Sequence, residues 1–221
     1  MISSTLSFLK QLKSNNNRNW FNENKAKYLD VKKDLTAFNN SIFNSLSESE
    51  HLDYVKMFRI YRDTRFSKNK EPYKNHIGIA FHRIKPHYRG GYYIHIEPGN
   101  SFLGAGFWDP NKEDLHRIRK EFEIDDNEIR EIINSKPVKT CWGELKGDEL
   151  KTAPRGYDKN HKAIDLIRKK QYVFIKPLSE YIMSDTNLLS NEVISAFKII
   201  RPYFDYMSDV LTTDLNGESL I

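Results

Sequence analysis

Arg59, Arg62 and Arg65 stand three residues apart in a basic run, Arg59-Ile60-Tyr61-Arg62-Asp63-Thr64-Arg65-Phe66-Ser67-Lys68-Asn69-Lys70-Glu71-Pro72-Tyr73-Lys74. Guanidinium forks that converge on one point match the oxygens of a phosphate or carboxylate bidentately. Tyrosines are mixed into the run and Pro72 stiffens it, as befits a binding loop on a rigid scaffold. Arg59, Arg62, Arg65, Lys74 and Tyr73 are therefore candidate ligand-binding residues. The competing reading is a solvated loop in which Asp63 pairs with an arginine, an arrangement worth little.

A second stretch, Gly90-Gly91-Tyr92-Tyr93-Ile94-His95-Ile96-Glu97-Pro98-Gly99, alternates like a strand, which puts Tyr93, His95 and Glu97 on one side. Imidazole is the side chain best suited to proton transfer near neutral pH, and a neighbouring carboxylate can orient and tune it. His95, Glu97 and His76 are the candidate acid/base residues, and Tyr93 is a candidate ligand contact. A structural His–Glu pair on a half-exposed sheet would look the same. A metal would need a third ligand such as His76 or His82, and no metal site or cofactor is assigned.

The third stretch runs from Leu150 to His161, where the turn Pro154-Arg155-Gly156 precedes a helix pattern. Arg155 and free backbone N–H groups at a helix start could meet the same anion, or Arg155 could simply be exposed on a turn. Gly104 and Gly106 suggest close approach of a backbone or a ligand. The lone Cys141 has no nucleophile signature and reads as a small core residue. Serine elbows, phosphate-cradling loops and paired metal cysteines are absent from the sequence, so those enzyme classes are set aside.

The elements that must carry these groups follow from periodicity. Leu6, Phe8, Leu9 and Leu12 mark one helix; Trp20, Phe21, Tyr28, Val31, Leu35, Phe38, Ile42, Phe43 and Leu46 mark a longer one, with Asn15 to Asn17 as caps between them. From Lys56 the period becomes two, over Phe58–Tyr61, His76–His82 and Tyr92–Glu97, with Phe102–Trp108 a further strand. Asp109-Pro110 reads as a helix start, with helices on to about Asn134, Asp125 or Asp126 capping the second of them, and Pro137 just beyond its end. A helix over about 160–170, a strand over Tyr172–Ile175, and helical spacing from Val193 to Met207, kinked or split at Pro202, complete the chain. The expectation is a single α+β domain over residues 1–221, a central antiparallel sheet packed by N-terminal and C-terminal helices.

Charge is concentrated where the candidates are. Residues 56 to 95 carry ten Lys or Arg against two acids, a net of +8 that leaves −3 for the rest of a chain with net +5. Such a patch attracts anions. One cysteine, no leader-like N-terminus and no apolar run of membrane length point to a cytoplasmic protein without a membrane partner.

Asn16-Asn17-Arg18-Asn19-Trp20-Phe21, Arg62 to Lys68 with Pro72-Tyr73-Lys74, Tyr92 to Gly99, and Ala153-Pro154-Arg155-Gly156-Tyr157 together resemble the signature segments of a bacterial and fungal family, domain of unknown function 2461. The resemblance covers roughly residues 5 to 210 and implies an intact domain, but it brings no activity or catalytic residues. The function read from the residues is a pocket for a small anionic ligand, in an enzyme acting on a phosphorylated or carboxylated substrate. The alternatives are a nucleic-acid-binding module, with Tyr61, Tyr73, Tyr92 or Tyr93 stacking on bases, and a non-catalytic protein-interaction domain. Oligomeric state does not follow from the sequence.

Overall fold

A computed structural model describes residues 1–66 and 68–221. The alternating segments form one antiparallel five-stranded sheet in the order β1-β2-β3-β4-β5: β1 Leu52–Met57, β2 Ile77–Arg83, β3 Gly91–Ile96, β4 Phe102–Phe107 and β5 Tyr172–Pro177. Ile77, Ile79 and Phe81 on β2 and Tyr92, Ile94 and Ile96 on β3 are buried as one apolar face, as period two requires. The helices are α1 Ile2–Ser14, α2 Arg18–Glu23, α3 Lys25–Leu46, α4 Lys112–Ile124, α5 Asn127–Asn134, α6 Lys136–Trp142, α7 Ile164–Ile167, α8 Thr186–Ile199 and α9 Arg201–Thr212. The fold class is α+β. No described helix is long and apolar enough to cross a membrane.

By internal packing the chain divides into two units. The first comprises Met1–His82, Tyr93–Leu103 and Pro177–Ser195. Here α1 packs against α3 and a 3₁₀ turn at Ile182–Ser184, and α3 packs against β1. The apolar stripe expected as one long helix is two, because the chain breaks at Asn24, whose side-chain amide donates to the Trp20 carbonyl at 2.9 Å. Asn17 caps α2 by accepting the Trp20 N–H at 3.0 Å.

The second unit comprises Arg83–Tyr92, Gly104–Lys176 and Ala196–Ile221. In it α4 packs against α7 and α9, and α5 against α6 and α9. Several boundaries differ from the sequence reading. Asn111, not Asp109, caps α4, its Oδ1 accepting the Asp114 N–H at 2.7 Å. Of the two acids offered as caps for α5, Asp125 accepts the Asn127 N–H through Oδ1 at 3.0 Å, while the Asp126 carboxylate is taken by Arg130 and Lys162 and makes no cap hydrogen bond. Pro137 does lie just beyond the end of α5, and there it enters the first turn of a further short helix, α6, where a proline forfeits no helical N–H bond. The helix expected over about 160–170 contracts to α7, and Pro202, in the first turn of α9, marks the split from α8.

Tyr203 is wholly buried in this unit, and its hydroxyl donates to the Tyr172 carbonyl at 2.9 Å. Tyr203→Phe keeps the ring and leaves that carbonyl without this donor. Urea denaturation should show a loss of about 1–2 kcal/mol.

Candidate functional site

The acid/base candidates lie in the first unit, on the sheet face opposite the buried isoleucines. Tyr93, His95 and Glu97 form a file along β3 and the residue after it, since residues two apart project to one side. Tyr93 Oη lies 3.3 Å from His95 Nδ1, and His95 Nε2 lies 3.2 Å from Glu97 Oε2. Asn100 Nδ2 donates to the same carboxylate oxygen at 3.0 Å. Ser101 ties down the turn that carries Glu97: its Oγ accepts the Glu97 N–H at 3.0 Å and donates to the Glu97 carbonyl at 2.8 Å.

Flanking rings and a glycine set the positions. His95, only 8% exposed, is stacked on Phe102 at 4.5 Å and 10° and faces His76 at 4.3 Å and 32°. Gly78 leaves room for the phenol, because a Cβ there would come within 2.3 Å of Tyr93 Oη. Among the described residues, no group of three His, Cys, Asp or Glu side chains is arranged to hold a metal ion.

Protonation states follow from burial and neighbours. Burial pushes the Glu97 carboxyl up, but the hydrogen bonds from Asn100 and His95 and the nearby imidazoles outweigh it and leave it below its ordinary value. An ionised carboxylate only accepts hydrogen bonds, so His95 Nε2 carries the proton toward Glu97. Neutral His95 then presents the Nδ1 lone pair, and the Tyr93 O–H donates to it. Burial lowers the pKa of His95 despite the opposing pull of Glu97. Burial also lowers His76, to about 4, with His95, Lys74 and Arg62 adding to the shift and Glu97 opposing it. Burial raises the Tyr93 phenol.

These shifts make stability depend on pH. A histidine with a depressed folded pKa contributes stability above its unfolded pKa of 6.5 and loses it as pH falls through the folded value. For His76 that window is pH 6.5 down to about 4. The imidazole is part-exposed, so solvent screening reduces the linked energy to roughly 1–2 kcal/mol. Urea midpoints across this range should fall less steeply for His76→Gln than for the parent protein.

The basic run is a paired arm, although the regular strand expected over Phe58–Tyr61 instead lies earlier, at β1. The Phe58 N–H donates to the Gly78 carbonyl at 2.9 Å, Lys74 N–H to Ile60 at 2.8 Å and Arg62 N–H to Pro72 at 2.9 Å, with an antiparallel bridge between Tyr61 and Tyr73. This pairing places Arg62 and Lys74 on neighbouring strands of the arm. Burial, and then the charges of Arg59 and Arg62, lower the Lys74 ammonium. Arg62 reaches Glu71 only at 3.8 Å, and its Nε is buried without a hydrogen-bond partner.

Other candidates are placed differently. Arg65 grips Asp63 through Nε at 3.0 Å and Nη2 at 2.7 Å and is 77% exposed, the local ion pair foreseen as the competing reading. The Tyr73 ring is buried and stacked on Phe21 at 4.1 Å. Tyr92 is buried against Phe197, so neither of these two rings is free to stack on a base. Arg155 is exposed on its turn in the second unit. Ser67 lies outside the described residues.

Sequence reasoning gave Asn16 no site role, reading it as a cap candidate and as part of a family-like segment. Its Oδ1 accepts the Tyr73 N–H at 3.1 Å, and its Nδ2 donates to the Tyr73 carbonyl at 3.0 Å and to Asn75 Oδ1 at 2.8 Å. It pins the arm by its backbone. Asn100, Ser101 and Phe102 were passed over as well; the only signal was their position just after the Glu97 turn.

A family model described as "Conserved hypothetical protein (DUF2461)" matches residues 4–206. The chain belongs to this family. No curated protein and no solved structure matches it. In this DUF2461 chain, three of the four segments that carry the resemblance place Asn16, the basic arm and the Tyr93–Glu97 file in the first unit; the segment Ala153–Tyr157 belongs to the second.

Proposed function

We propose that this DUF2461 protein is an enzyme that transfers a proton on a small phosphorylated or carboxylated substrate. Arg62 and Lys74, with Arg59 beside them, hold the anion, and Tyr93, His95 and Glu97 carry the proton. The hydrogen-bonded file from Tyr93 through His95 to Glu97 is the observation that supports this reading. As a substrate proton passes to Tyr93 Oη, the phenolic proton passes to His95 Nδ1, and Glu97 stabilises the imidazolium through Nε2–H; the reverse sequence returns the proton. Such relays contribute about 10²–10⁴-fold to rate. Burial and then the charges of Arg59 and Arg62 depress Lys74, and an anionic group in the same place relieves the repulsion among these cations.

The test is a thermal-shift screen against phosphate, sugar phosphates, nucleotides and carboxylates, with Arg62→Ala and Lys74→Ala in parallel. A ligand at about 100 times its Kd adds roughly 2.7 kcal/mol, a rise of about 5–10 °C for a chain of this size. The rise should vanish in both variants. With the ligand class identified, Tyr93→Phe and His95→Ala should each slow turnover by about 10²-fold or more. No shift with any anion, or unchanged turnover in both variants, overturns the reading.

Nucleic-acid binding is the second reading, favoured by Phe66, 95% exposed beside Arg65 on the basic arm. Salt separates the two. Binding through several phosphates falls steeply with ionic strength, whereas a small-ligand pocket loses much less.

A further inference from the structure

Glu97 faces more than His95. It also lines a cavity of about 460 Å³ in the first unit, walled by α1, the β3–β4 turn and the segment after β5. Leu6, Leu178 and Met183 supply apolar surface, and the charged lining residues are Glu97, Glu180 and Lys10. Neither Lys10 nor Glu180 forms an ion pair with another described residue. The volume lies in the range of small-molecule sites, which combine apolar lining with a few polar groups that fix orientation.

Two carboxylates with one ammonium around an apolar surface repel a simple anion, and a simple cation, though drawn to Glu97 and Glu180, leaves Lys10 without a counter-charge. A ligand carrying both charges and an apolar side chain satisfies every group. We propose that this cavity binds a small zwitterion, a free aliphatic amino acid or a dipeptide, with its ammonium at Glu97 and Glu180 and its carboxylate at Lys10. Binding has a consequence for the neighbouring file. An ammonium at Glu97 competes with the His95 Nε2–H for the carboxylate, so occupancy makes the imidazolium less stable and His95 harder to protonate. The binding site stands apart from the proton-transfer reading; only this coupling uses the Glu97–His95 contact.

Isothermal titration calorimetry of the full chain tests the site directly, with L-leucine and leucyl-leucine as the two zwitterions and butylamine and butyrate as single-charge controls. One zwitterion should bind, and comparison of the two arms assigns the ligand to amino acid or peptide. Both controls should bind more weakly. Glu180→Gln and Lys10→Met, surface changes that leave the fold intact, should each weaken binding roughly threefold or more. NMR titration of the His95 ring with saturating ligand should show a lower pKa than without it. Absence of heat with both zwitterions, binding equal to that of a single-charge control, or affinity unchanged in both variants overturns the site. An unmoved His95 titration overturns the coupling.

Discussion

Gly106→Ala should cost about 4 kcal/mol or more, a large fraction of the roughly 5–15 kcal/mol by which folded domains are ordinarily stable. Gly106 lies in β4 with φ +137°, a conformation L side chains rarely adopt. A Cβ there would sit 2.2 Å from the Tyr172 carbonyl oxygen and 2.8 Å from Val173 Cα, both backbone atoms of β5. Neither can give way without disturbing the β4–β5 pairing. Gly99→Ala provides the control, because Gly99 also has a positive φ of +78° but open space around it. That substitution should cost only about 1–2 kcal/mol. Equal losses for the two variants in urea denaturation would show that backbone conformation, and not the close approach to β5, decides the cost.

Arg83→Ala should cost about 3–5 kcal/mol, with Arg83→Met recovering at least half of it. The Arg83 side chain is wholly buried in the second unit, yet it is charged. Its Nη2 donates to Asp205 Oδ1 at 3.2 Å, and its Nη1 reaches the Arg89 carbonyl at 3.3 Å and Ser208 Oγ at 3.4 Å. The guanidinium also lies 5.1 Å from the Phe204 ring centre and 5.3 Å from that of Tyr88. Alanine removes all of this and opens a cavity. Methionine refills the space between the rings, and Asp205, half-exposed and 3.7 Å from Arg201, tolerates the loss of its buried partner. If the methionine variant proves as unstable as the alanine one, the hydrogen bonds rather than the packed volume carry the stability.

The sequence by itself determined what depends on near neighbours. Period two located β2, β3 and β4 and put Tyr93, His95 and Glu97 on one side, because alternate residues of a strand must share a face. Spacing of three and four located α1 and the apolar stripe of α3 for the equivalent helical reason. Local chemistry misled where two nearby groups could do the same work: Asn111 lies two residues after Asp109 and takes the cap, and Asn24 interrupts a stripe that apolar spacing alone would continue.

Tertiary structure decided the rest, since it depends on which distant surfaces meet. Arg62 and Arg65 look equivalent three residues apart, but Arg65 closes on Asp63 in solvent while Arg62 lies against the backbone of Tyr73. Nothing within the basic run could say that the Tyr73 ring is committed to Phe21, or that Asn16, 57 residues away, holds the Tyr73 backbone. The same holds for His95. Its proximity to Glu97 is a property of one strand, but its burial between His76 and Phe102, which lowers its pKa and makes it a neutral acceptor for Tyr93, comes from the register of three adjacent strands.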